Sequence, residues 1–249
     1  MDADKPLLLR SHHSFGVSRL ITRFYSVRVC TPPHRLVVPK RLCGCGVDML
    51  EFKCYHCIYC CFFRDPVECP VLFPWEKRSI EDLLGGGEKS TRFEPLEAWH
   101  DRKGVCVVTL YRWVIRGFCP FYDVVVRRCR IHEMKPLACQ MFPLLVEVPS
   151  GRVMISAKCL WTKKNKRLVE ELKTPEAIAR IFPSEFSAAT AVLQQYTSIL
   201  EAVKEEKLVR VNDFSSCKLF VDVDSYMVGD YGWRERRKEE GEEGDKTLL

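Results

Sequence analysis

The chain has 249 residues, 47% apolar and 29% charged, the proportions of an ordinary globular protein that is long enough to bury a core without metal. No run approaches the roughly 18 uninterrupted apolar residues of a membrane helix, and the start Met1-Asp2-Ala3-Asp4 lacks the basic-then-apolar pattern of an export signal. These features exclude a membrane-spanning reading and predict a cytoplasmic protein with no membrane partner. The net charge is +6.

Residues 1–45 read as a basic N-terminal extension. The first 50 residues hold eight Lys and Arg against three acids. No recognised nucleic-acid motif accompanies that charge, so it reads as a solvated basic face. A strand or short helix is expected between Ser18 and Val29. Residues 46–165 are dense in cysteine. Within them, Ser79 to Leu84 reads as a short helix capped by Ser79 and stopped by Gly85-Gly86-Gly87. Glu94 to Trp99 suggests a turn. Val105 to Arg116 and Asp123 to Ile131 read as strands, being rich in β-branched residues. Pro136 starts a helical turn over Leu137 to Met141, and Pro143 ends it. Leu144 to Val148 and Arg152 to Ala157 flank Pro149-Ser150-Gly151 as a hairpin.

Lys163 to Leu172 reads as a charged helix. Thr174 caps the next one, with Pro175 at its first position. Pro183 breaks that helix, and another runs to about Lys207. Its apolar positions Phe186, Ala189, Leu193, Tyr196, Ile199, Leu200 and Val203 recur at helical spacing and predict a core-facing stripe. Short strands are expected in 208–214 and 217–223. Residues 166–233 thus form a helical cap with a short hairpin, and 234–249 a disordered charged tail.

Fourteen cysteines are far more than a chain of this size ordinarily holds. In a reducing compartment, spaced cysteines signal metal or redox chemistry. The composition keeps disulfides open: three Gln and two Asn beside many Arg, Lys and Glu is a thermophile bias, and thermophile interiors tolerate disulfides. The strongest signal is Cys54-Tyr-His-Cys57-Ile-Tyr-Cys60-Cys61. Two-residue spacing turns both sulfurs toward one ion, and here two such pairs share Cys57. Three thiolates so spaced resemble the start of a ferredoxin pattern, whereas zinc sites more often use separate pairs. Adjacent side chains tend to diverge, so Cys61 is expected to serve a second centre or to pack as a thiol. In the later block, Cys139 sits one turn into the helix begun by Pro136, where the helix end and nearby cations favour the thiolate.

The Cys54/Cys57/Cys60/Cys61 run, Cys119-Pro120-Phe121, Cys129-x-Ile131-x-Glu133, Pro136-x-x-Cys139 and Phe142-Pro143 together resemble the CxxCxxCC (YkgJ-type) family of zinc- or iron-chelating cysteine cluster proteins. The resemblance covers about Phe52 to Trp161. It implies eight metal-binding cysteines: Cys54, Cys57, Cys60, Cys61, Cys119, Cys129, Cys139 and Cys159. The chain departs from the family at His132, where Tyr is usual, at Lys135-Pro136, where Arg-Pro is usual, and at Gln140, where Arg is usual. The same cysteine pattern occurs in flagellin lysine methylases, which implies a group-transfer alternative by analogy only. Lys53, Arg127, Arg128, Arg130 and Lys135 lie close in sequence to the implied ligands and would offset thiolate charge.

Other candidates read differently. Cys43-Gly44-Cys45 has a spacing poor for zinc. Cys69-Pro70 resembles a ferredoxin ending, but its gap from Cys60 does not fit. Cys30, Cys106 and Cys217 read as packed thiols. His132 reads as a hydrogen-bonded polar residue and His56 as outward-facing. The expectation is therefore an α+β protein with a cysteine-rich metal-centred domain. Its cofactor is expected to be an iron–sulfur (4Fe-4S) cluster, with zinc as the alternative, in a redox or binding role. A group-transfer enzyme and an interaction protein with structural zinc are the other readings, and a protein partner or substrate is left open.

Overall fold

The structure is a computed structural model that describes residues 25–28, 51–85 and 91–228. Expectations about Cys30, Cys43, Cys45, the rest of the basic extension and the charged tail lie outside the described residues.

In chain order the elements are β1 (Tyr25–Arg28), β2 (Phe62–Phe63), β3 (Val71–Leu72), α1 (Pro74–Leu84), β4 (Thr91–His100), β5 (Val105–Ile115), β6 (Gly117–Phe118), β7 (Tyr122–Asp123) and β8 (Arg128–Cys129). They continue with α2 (Leu137–Gln140), β9 (Leu144–Glu147), β10 (Arg152–Ile155), α3 (Leu160–Lys164), α4 (Lys166–Glu171), α5 (Pro175–Ile181), α6 (Pro183–Glu205), β11 (Val209–Arg210), β12 (Leu219–Asp222) and α7 (Val223–Val228). The fold is α+β, as expected. No helix among the described residues is long and apolar enough to cross a membrane. The described residues form two compact units, each built from separated segments: the first falls within 1–62 and 121–194, the second within 63–120 and 195–249.

The first unit is built on the antiparallel sheet β1–β10–β9. Its β9–β10 hairpin pairs Ile155 with Leu144 and Arg152 with Glu147, as the Pro-Ser-Gly turn predicts. Leu144, Val153 and Ile155 are buried and pack with Trp161, Val169, Ile178, Ile181 and Phe182 from the helical segment. Thr174 caps α5, its side chain accepting from Ala177 N at 3.2 Å. The single charged helix expected over Lys163 to Leu172 is instead two helices. Asn165 interrupts them with non-helical backbone, while its side-chain amide donates to Trp161 O. The strand expected from Asp123 to Ile131 is a tight hairpin of β7 and β8. The Asp123 carboxylate accepts from Val125 N and Val126 N and folds the chain back on itself, a local side-chain bond that outcompetes an extended run.

The second unit is a sheet in the order β11–β4–β5–β12, with β3 also on β5. Glu94 to Trp99 lies within strand β4, not in a turn. Pairing with β5 overrides Pro95, and the register shifts between Pro95 and Glu97 in a bulge that accommodates the proline. Helix α1 begins at Pro74, five residues before the expected start. Pro74 is pre-set for a first helical position, and Glu76 accepts from Phe73 N at 3.0 Å. Ser79 therefore lies inside the helix, donating to Trp75 O. Gly85 ends it in left-handed conformation, φ 62°. On α6, Ala189, Leu193, Tyr196, Ile199 and Val203 are buried, so the predicted stripe does face a core.

The second unit also corrects a reading of sulfur. Cys106 and Cys217 are joined in a disulfide, their Cα atoms 5.5 Å apart; they are not separate packed thiols. Cys106 lies on β5 and Cys217 just before β12, which pairs with β5 in parallel. Strand pairing brings together two cysteines that are 111 residues apart. Sequence spacing cannot report that proximity.

Candidate metal centre

The chain enters the cysteine loop from a fixed point in the first unit. Phe52 N donates to Ile181 O at 2.8 Å. The Phe52 ring packs edge-on against Trp161, with centroids 5.4 Å apart, and against Phe182 at 5.2 Å. Cys54 follows two residues later, and its Sγ accepts from His56 N at 3.4 Å. His56 takes a left-handed backbone, φ 50°, uncommon for a residue other than glycine, which curls the loop between Cys54 and Cys57. His56 is exposed, as expected. Cys61 N then closes a turn onto Ile58 O at 3.0 Å.

That turn changes the geometry expected of the last two cysteines. Divergence of neighbours holds in strands, but Cys60 and Cys61 lie in a turn, and their Sγ atoms are 3.7 Å apart. With zinc–sulfur bonds near 2.3 Å, the edge of a tetrahedral site is about 3.8 Å. The adjacent pair thus has the spacing of two ligands on one ion.

Two further elements bring sulfur to the same unit. Cys129 ends β8, held where Arg130 N donates to Phe121 O at 2.8 Å. Cys159 is the residue before α3 and is buried; its carbonyl accepts from Thr162 Oγ1 at 2.8 Å. Helix α3 and the cysteine loop are also tied through exposed groups. Lys163 Nζ stands 4.6 Å from the Tyr59 ring centre and Lys164 Nζ 4.9 Å from that of Tyr55, favourable cation–π geometry. Lys158 Nζ donates to Phe62 O at 3.0 Å. Sequence reasoning missed these ties. The signal was the alternation of Tyr with Cys in the loop and the lysine pair after Trp161.

The electrostatics show which thiols sit near one another. The Cys54 thiol is pushed up, first by burial and then by nearby Cys60 and Cys57, against the pull of a backbone N–H and Lys135. Cys60 is pushed up by its hydrogen bond with Cys61 and by burial. Cys129 is raised by burial and by Cys60. Cys159 is pushed up to about 11, chiefly by burial, with Cys57 and Cys60 adding. Cys60 thus acts on Cys54, Cys129 and Cys159, and Cys57 on Cys54 and Cys159. Among the cations near them in sequence, Lys135 acts on Cys54, Cys60 and Cys129 together. It is also the first cause lowering His132, which burial, His56 and Arg128 reinforce. Lys135 further lowers Glu185, a carboxyl that burial pushes up. At Cys54 and Cys129 burial outweighs the opposing pull of Lys135, and at Cys60 the hydrogen bond with Cys61 and burial together do so.

The remaining cysteines divide. Cys139 is partly buried, with its N–H on Pro136 O at 2.8 Å in the first turn of α2. Cys119 is partly buried and lies in the second unit. Cys69 is a packed thiol, its Sγ 3.4 Å from both Ile115 N and Ile115 O. Among the described residues, no three Cys, His, Asp or Glu side chains already stand in position to grip one ion. A metal would have to displace the thiol protons and draw the sulfurs inward.

Comparison with known proteins gives one positive finding. Residues 53–171 match the model of the CxxCxxCC family, described as "Putative zinc- or iron-chelating domain". The match supports metal binding and includes both zinc and iron. No curated protein and no solved structure matches the chain.

Proposed function

We propose that this chain carries an iron–sulfur cluster of the 4Fe-4S type and serves a redox or binding role. Cys54, Cys57, Cys60, Cys129 and Cys139 are the cluster-binding candidates. Cys61, Cys119 and Cys159 complete the thiol set that the family resemblance implies. The reading is supported by the cysteine-chelating family model that matches residues 53–171, and by Cys60, which raises the thiols of Cys54, Cys129 and Cys159 from three separate stretches of chain. The double two-residue spacing favours a cluster over separate zinc pairs.

When bound, such a cluster supplies one-electron transfer. The chain's own groups would hold and tune it. Four thiolates leave the centre at about −2, and Lys135 is the cation placed to offset that charge. Burial of Cys159 and partial burial of Cys60 and Cys129 limit water at the sulfurs.

A second reading rests on a different observation. In a cubane each iron takes a single cysteine, whereas Cys60 and Cys61 have the spacing of two ligands on one ion. That favours a mononuclear site, with zinc the fitting metal.

Anaerobic purification with iron, sulfide and zinc analysis and an absorption spectrum separates the two. A brown protein with iron and labile sulfide is the expected result. A colourless protein with stoichiometric zinc selects the second reading, and folded protein with neither metal removes both.

A further inference from the structure

The β7–β8 hairpin has an unusual tip. Val124, Val125 and Val126 are 60%, 86% and 61% exposed, three consecutive β-branched apolar side chains in water. The tip is built, not frayed: the Asp123 carboxylate accepts from Val125 N at 2.9 Å and Val126 N at 3.0 Å. Arg127 closes the turn at φ 54°. The base is anchored by buried Phe121, Tyr122 and Ile131. Arg127 and Arg128 follow the valines directly and Arg130 stands at the hairpin base, its N–H on Phe121 O; all three are exposed. The hairpin thus holds a bare apolar tip with a cationic collar.

We propose that this tip inserts shallowly into an anionic lipid surface. The valines expose about 300 Å² together, well below the roughly 800 Å² per partner of a stable protein interface. A small protruding apolar tip suits the headgroup–acyl boundary, where its side chains leave water without needing a shaped partner. The collar matches the surface charge of anionic lipid, and Arg127 and Arg128 sit beside the apolar residues, where they reach headgroups during insertion. Absence of a spanning helix does not bear on such contact, which needs none. The surface is separate in chemistry from the cysteine site, although Cys129 ends the same hairpin.

The test uses the full chain with its bound metal, sedimented with vesicles of phosphatidylglycerol mixed with phosphatidylcholine and with vesicles of phosphatidylcholine alone. Binding is expected only to the anionic vesicles and should weaken as salt rises. Val125→Glu should lower it at least tenfold with metal content and circular dichroism unchanged, because the side chain touches little in the fold. The double variant Arg127→Gln/Arg128→Gln, which keeps the apolar tip, should lower it by roughly fivefold per cation removed. Val209→Glu, at an exposed residue of the other unit, should bind as the parent does. Absence of vesicle binding overturns the proposal, as does binding unaffected by Val125→Glu. Self-association that Val125→Glu abolishes, without vesicle binding, also overturns it and assigns the tip to a protein contact. None of these outcomes depends on which metal the cysteines hold.

Discussion

The two units use sulfur in opposite ways. In the first, the described cysteines lie in turns and in or beside short elements, and none of them is in a disulfide. In the second, Cys106 lies on the central strand, 1% exposed, and is spent in a covalent bond. Backbone context separates the fates. A paired strand fixes a neighbour at disulfide distance, whereas an irregular loop lets several sulfurs approach one point. The cysteine count alone therefore does not identify the chemistry.

The sharpest way to break that contrast is to remove one sulfur of each kind. Cys60→Ser should abolish most metal binding, measured as metal per chain after purification, because it removes both a proposed loop ligand and the partner of Cys61. Cys69→Ser should retain full metal, because Cys69 packs against Ile115. Equal loss from the two variants would dissolve the distinction.

Next come the cores. Phe182→Ala should cost about 3–5 kcal/mol in denaturant unfolding, since the fully buried ring packs against both Phe52 and Trp161. It should also lower metal content, because the same contacts hold the chain just before Cys54. Reducing the Cys106–Cys217 bond, or replacing both residues with Ser, should cost about 2–4 kcal/mol through the freed chain entropy of a long loop. Metal content should be unchanged, which mass spectrometry and metal analysis on one sample would check.

A smaller effect is expected at the buried carboxylate of the second unit. Tyr196 OH donates to Glu97 Oε2 at 2.9 Å and Thr109 Oγ1 donates to Glu97 Oε1 at 2.9 Å, while Arg210 stands 3.5 Å away. Tyr196→Phe should cost about 1–3 kcal/mol, because it removes a donor to a charged group that water cannot reach. Thermal unfolding would measure it. A neutral result would mean the remaining donors suffice.

Much of the fold was legible along the chain. The β9–β10 hairpin, strand β5, the Thr174 cap and the α6 stripe follow from turn residues, β-branched runs, a capping side chain and helical spacing. Each is a signal carried by residues within one element. The errors came where a distant partner or a local bond competed: β4 was hidden by Pro95, and the β7–β8 turn by the Asp123 carboxylate. In the site, the spacing of Cys54, Cys57 and Cys60 was visible, but the approach of Cys60 to Cys61 was not. It depends on the turn closed at Ile58.

Sequence alone determined the candidate donors of this protein: a loop of closely spaced cysteines, and with it the match of residues 53–171 to a zinc- or iron-chelating family model. Side-chain type and short spacing are local properties that a linear reading preserves. Tertiary structure decided that the sulfurs of Cys60 and Cys61 lie side by side, which pair is oxidised, that Lys135 acts on several thiols at once, and that each unit is assembled from separated segments. Those outcomes depend on packing between residues tens to more than a hundred positions apart, where neither spacing nor composition carries a distance.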